Sequence, residues 1–206
     1  MMVPLRQVDF ARGQRNYITA VDIFNSAPIT QRDTFFEFRF SRFANAPGKW
    51  IDGTNAAEDL NLCPITVVVK DGERRARFGF LEDLSSSLRR VADLDSGLTD
   101  EMLTVNERRA SCPVSAERDP WAQLIDMLRF FGIRLFGIQT WAVLRLSGTG
   151  TCTTPFPVAA TTLEMEFLTT RSGVYRVRYW LKDNPRWNGF FMGAEMKNMP
   201  RTEGQP

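Results

Sequence analysis

The sequence predicts an α+β fold of two tandem halves, each a helix followed by an antiparallel sheet. Three observations predict it. Gly72 to Phe80, G-E-R-R-A-R-F-G-F, returns as Gly173 to Leu181, G-V-Y-R-V-R-Y-W-L, so that Gly72 meets Gly173, Arg75 meets Arg176 and Arg77 meets Arg178. Each copy follows an apolar run and a turn signal. Upstream of each lies a stretch with apolar residues three and four apart, the spacing of a helix that buries one face.

In chain order, residues 3–10 alternate loosely as a short strand, and Arg12-Gly13-Gln14 reads as a turn. Asn16 is placed to cap a helix running to about Ser26, with Tyr17, Ala20, Val21 and Phe24 as its apolar stripe and Pro28 as its stop. Residues 34–43, T-F-F-E-F-R-F-S-R-F, set Phe36, Phe38 and Phe40 on one face of a strand and Glu37, Arg39 and Ser41 on the other. Residues 44–62 read as irregular, with turns at Pro47-Gly48 and Asp52-Gly53. Residues 65–82 read as a hairpin whose Asp71-Gly72 forms a type I′ turn.

From 83 to 119 the periodicity weakens. A short helix from Ser85 toward Leu94, another over 99–103 and a strand over 105–111 are expected in this connection. Asp119-Pro120 then starts a helix, since Asp accepts from free first-turn amides and Pro suits that turn. Its apolar face is Trp121, Leu124, Ile125, Leu128 and Phe131, ending near Gly132. A strand over 141–146, a loop over 147–157 and a hairpin over 163–181 with a Ser172-Gly173 turn complete the second half. The organisation expected is a first half over 1–83, a connection over 84–119, a second half over 120–183 and a tail over 184–206 closed off by Pro185.

Composition excludes more chemistry than it suggests. There is no histidine, so Ser-His-Asp and Cys-His catalysis and HExxH metal sites are ruled out for this chain alone. Cys63, Cys112 and Cys152 are isolated and odd in number, which fits neither a zinc site nor a disulfide framework. Either buried thiols or, at Cys63-Pro64 and Cys112-Pro113, a nucleophile accounts for them. Hydrophobic residues at 43% and a net charge of +2 describe a globular chain. Met127 to Leu146 is broken by Arg129, Arg134, Gln139 and Arg145, too polar for a membrane span, and the N-terminus lacks a signal-peptide core, so a cytoplasmic location is expected. No cofactor and no metal are expected.

Arg75, Arg77, Arg176 and Arg178 fall on one strand face, opposite their apolar neighbours. A solvated face laced with Glu-Arg pairs and an anion-binding surface both fit. No nucleic-acid partner is expected, because the aromatics fall on the core-facing side and such a site needs them beside the cations.

A helix packed on an antiparallel sheet, twice, with Y-I-T-A-V-D-I-F in one copy and W-A-Q-L-I-D-M-L in the other, resembles the hotdog fold in its tandem, double-hotdog form. The resemblance covers about 17–183. It implies an acyl-thioester ligand, acyl-CoA or acyl-carrier protein, handled by thioesterase, dehydratase or acyl-transfer chemistry, as in enzymes of A-factor-like signal biosynthesis. The dehydratase branch lacks its histidine here. Asp22 and Asp126, at the same place in both helices, are the candidate catalytic carboxylates, although helical geometry sets both off the apolar stripe, where solvation would be expected. Asn16 is a candidate to orient a carbonyl, or simply a cap. Phe36, Phe38, Phe40, Phe78 and Leu144 would line an acyl tunnel, or fill a dry core.

Two other functions fit the pattern. One is a non-catalytic binding or assembly protein, dimeric or bound to a partner through a sheet edge or through the aromatic segment 187–192. The other is a small-ligand carrier of cystatin-like shape.

Overall fold

A computed structural model describes residues 7–29, 35–53, 59–138, 141–149 and 161–195. Cys152, most of the expected 147–157 loop and the end of the chain lie outside them. The elements are β1 (Gln7–Val8), β2 (Phe10–Arg12), α1 (Ala20–Ser26), β3 (Phe35–Phe40), β4 (Gly48–Asp52), β5 (Ile65–Asp71), β6 (Arg74–Glu82), β7 (Arg89–Val91), β8 (Thr104–Asn106), β9 (Arg109–Val114), α2 (Pro120–Phe136), β10 (Trp141–Thr149), β11 (Thr161–Arg171), β12 (Val174–Leu181) and β13 (Asn184–Glu195). Eleven strands form one antiparallel sheet in the order β1-β4-β6-β5-β3-β10-β13-β12-β11-β9-β8, and β2 pairs with β7 in a separate parallel ribbon.

Alternation in β3 puts Phe36 and Phe38 at 0% exposure. The two helices cover that face. Phe24 of α1 meets Phe38 at 4.8 Å and Trp121 of α2 at 4.9 Å between ring centroids, and Phe36 meets Trp121 at 5.8 Å. Such tilted and edge-on contacts are the favoured aromatic geometry. This cluster joins the halves, as does the seam where β3 pairs with β10 from Phe35–Thr149 to Arg39–Arg145.

Several expectations change. α1 starts at Ala20, with Thr19 as its cap; Asn16 lies in an exposed bend and caps nothing. The irregular 44–62 stretch contains β4, whose Trp50 is fully buried and donates from Nε1 to Ser26 Oγ at 3.0 Å. The expected helix over 85–94 is absent because Asp83 accepts from Ser85 N, Ser85 Oγ and Ser86 Oγ, a local turn that competes with a helix. β7 follows instead. Residues 99–103 do hold a short 3₁₀ turn, Asp100–Met102. Most consequentially, the expected tail is β13, a strand inserted between β10 and β12. Pro185 fell within it at the register irregularity near Leu181, a position where a strand tolerates proline.

The two sides of the β3–β10 seam differ in strand order and in register. Counted outward from the seam, the first half reads β3, β5, β6, β4, β1 and the second β10, β13, β12, β11, β9. Both β6 and β12 are third from the seam, yet β6 pairs with its hairpin partner on the seam side and β12 with its own on the far side. Row by row, Arg39 leads through Thr66 to Gly79, whereas Arg145 leads through Met192 to Arg176. The turns differ as well. Asp71 faces Arg74, leaving Gly72-Glu73 as the central pair with positive φ at Gly72, whereas Ser172 and Gly173 both have positive φ, as a type I′ turn requires.

Candidate functional site

A cavity of about 410 Å³ opens between the two helices and the ends of the central strands. α2 supplies Ala122, Ile125, Asp126, Arg129 and Ile133 at helical spacing, which places them on one wall. The facing wall is Tyr17 to Val21, the approach to α1 and its first turn, with Phe40 from β3 and Val143 from β10. The Tyr17 and Phe43 rings, both in the lining, meet at 4.7 Å between centroids, tilted by 31°. The floor is apolar and the rim is charged.

That rim consists of pairs. Arg12 Nε contacts Asp22 Oδ1 at 2.7 Å, Arg15 pairs with Asp93, and Arg42 Nη2 lies 2.6 Å from the Glu82 carboxylate. Arg129 is 3.9 Å from Asp126. Asp126, with its side chain 31% exposed, accepts a hydrogen bond from Ser96 Oγ at 2.6 Å. Ser96 is itself buried and accepts from Leu98 N, so its hydroxyl is held in a fixed orientation toward the carboxylate.

The sequence candidates divide. Asp126 lines the cavity. Asp22 does not, and its expected solvation is overturned, since it is 3% exposed. Its two oxygens are engaged by Arg12 and by Thr19 Oγ1 at 2.7 Å, and Asp22 N donates back to Thr19 Oγ1. The reason is Arg12 of β2, whose guanidinium lies against the carboxylate on the side of α1 that a lone helical wheel leaves to solvent. Asn16 is exposed and outside the cavity. Among the expected acyl-tunnel residues, only Phe40 lines the cavity. Phe36 and Phe38 fill the dry aromatic core, Phe78 packs at its margin, and Leu144 sits at the bulge between Val143 and Arg145. Arg12, Arg15 and Ser96 come from stretches without periodicity, and Arg42 falls at the end of the alternating 34–43 stretch, where nothing local marks a cavity; Arg129, three residues after Asp126 on α2, stands at i,i+3 spacing from it.

Cys112 is no nucleophile, since burial pushes its thiol up to about 11. The aromatic segment 187–192 is no docking tail: Trp187 and Phe191 are each 1% exposed within β13. Among the described residues no group of carboxylates and cysteines could hold a metal, and no helix is long and apolar enough to cross a membrane.

Two helices lie across one face of a large antiparallel sheet. The architecture is hotdog-like. No protein-family model and no curated protein matches the chain. Among solved structures it is similar to a protein assigned as a thioesterase II from Thermobifida fusca YX, at 12% identity and a TM-score of 0.47 over 94% of this chain and 99% of that one. It is similar to the tesB protein of Mycobacterium avium subsp. paratuberculosis, at 11% and 0.46 over 93% and 95%. A trans-AT PKS dehydratase domain from Brevibacillus brevis gives 9% and 0.46 over 93% of each chain. Likeness at this level says nothing of activity or substrate, which rest on the chain's own residues.

Proposed function

We propose that this hotdog-like protein binds and hydrolyses an acyl thioester in the cavity between α1 and α2. The observation that carries the reading is a chamber of about 410 Å³, within the range of small-molecule sites, whose apolar lining meets an oriented carboxylate, Asp126. The floor takes the acyl chain. Asp126 accepts a proton from water as the water oxygen bonds to the thioester carbonyl carbon, and returns it to the sulfur as the C–S bond breaks. Arg129, one turn further along α2, lies beside the charge that develops.

Thiol release from a panel of acyl-CoAs of graded chain length tests this. Asp126→Asn loses at least about 100-fold in turnover, the range of general-base catalysis, with an unchanged melting temperature. Asp22→Ala behaves oppositely: it strands Arg12 and costs about 3 kcal/mol of stability, the lower end for breaking a buried ion pair. If no acyl-CoA in the panel binds or is cleaved, the reading fails.

A further inference from the structure

The sheet face turned away from the helices carries cations and aromatics together. The pairing register reads one row across it as Arg77, Val68, Glu37, Ser147, Phe190, Arg178, Glu166 and Arg109, side chains all on the same side. The neighbouring row holds Arg75, Lys70 and Phe35 in the first half and Trp180 in the second. So the expectation that the aromatics all lie on the core side does not hold: Phe35 is 40% exposed, and Phe190 and Trp180 are partly exposed.

Each of these rings has a cation over it. Lys70 Nζ lies 5.8 Å from the Phe35 centroid, Arg176 4.8 Å from Phe190, and Arg178 5.4 Å from Trp180. Carboxylates neutralise the seam, where Arg39 and Arg145 share Glu37, and the far side, where Arg109 takes Glu166. No carboxylate reaches Lys70, Arg75, Arg77, Arg176 or Arg178 within 4.0 Å among the described residues. Lys70 and Arg75 are moreover directly opposite in the ladder, a like-charge pairing that destabilises a sheet.

We propose that this face binds single-stranded nucleic acid. Unpaired guanidinium and ammonium groups neutralise phosphates, and flat side chains between them accept stacked bases whatever the sequence. The platforms are spaced for it: Phe35 and Trp180 lie in one row three strands apart, about 14 Å, with Phe190 in the next row between them. The site is on the opposite side of the sheet from the cavity and does not depend on the hydrolase reading.

The test is fluorescence anisotropy of labelled oligo(dT) and oligo(U), with the full-length protein titrated at low and moderate salt. Binding with Kd on the order of 1–100 µM, weakening with salt by a slope of about 0.7 per cation engaged, is expected. Either sugar supports the proposal, and their ratio tells DNA from RNA. Phe190→Ala and Trp180→Ala each weaken binding about tenfold. Arg176→Ser with Arg178→Ser lowers the salt slope by about 1.4. All four positions face solvent, and an unchanged melting temperature verifies each variant. The proposal is overturned by no binding at low salt, by binding that the aromatic variants leave intact, or by anionic vesicles binding where oligonucleotides do not.

Discussion

Cys112 shows how one buried atom acquires a measurable consequence. It sits in β9 at 2% exposure, and its thiol holds its proton up to about 11 because the thiolate would be stranded away from water. In the unfolded chain the same thiol ionises near 8.5. Between these values the unfolded state binds fewer protons, so stability falls as pH rises from about 8.5 to 11, by on the order of 3 kcal/mol. Below about 8.5 the group has no effect. Melting curves over that range, compared with Cys112→Ala, check it: the variant removes part of the alkaline loss, and identical slopes would refute the assignment. The two aspartates mark what was legible at this scale. Asp126 lines the cavity although helical spacing sets it off the apolar stripe, where solvation is expected, and its side chain is 31% exposed. Asp22 is buried by a parallel ribbon joining residues 10–12 to 89–91, and no local pattern announces a contact about eighty positions away.

At the scale of elements, the helices and both hairpins were readable because their periodicity is local, and Asp119 does cap α2 by accepting from Ala122 N at 2.8 Å. Gly132 was misread as the helix stop. α2 continues to Phe136 and ends at Gly137, whose φ of 68° is the left-handed cap glycine favours. Gly132 is there for another reason: a Cβ would fall 1.9 Å from Trp141 Nε1, so the helix must be bare where the indole of β10 lies against it. Helix propensity alone favours Gly132→Ala by about 1 kcal/mol. Overpacking costs about 1–3 kcal/mol and wins, because the opposing atoms belong to a rigid ring. The expected outcome is a lower melting temperature, and because Trp141 also lines the cavity, altered acyl-CoA chain-length preference. A stabilised variant would mean that the indole can move aside at little cost.

At the scale of the whole molecule, β13 decides whether the second half exists. Its composition hid it, since Asn184-Pro185 reads as a stop and two glycines interrupt the run that follows. Both glycines have steric work. Gly189 faces Gly148 across the ladder, and a Cβ at Gly189 would fall 2.4 Å from the Tyr179 hydroxyl, which donates to Ser147 O at 2.9 Å beneath them. At Gly193 a Cβ would meet the Phe191 ring at 2.5 Å. Alternation survives in Trp187, Gly189, Phe191 and Gly193, all buried. A chain ending at Asp183 therefore loses the strand that bridges β10 to β12, leaving two interior strands with open edges and removing two large aromatics from the core. Because α2 packs on Phe24 and Phe36 of the first half, the damage crosses the seam. Each aromatic alone is worth about 3–5 kcal/mol, comparable to much of the stability of a whole domain. The truncated chain is expected to lose its near-ultraviolet circular dichroism and its cooperative melt, and Phe191→Ala to lower the melting temperature while keeping both. If the truncated chain melts cooperatively near the full-length temperature, β13 is an addition to a fold complete without it, and the eleven-stranded sheet is not one cooperative unit.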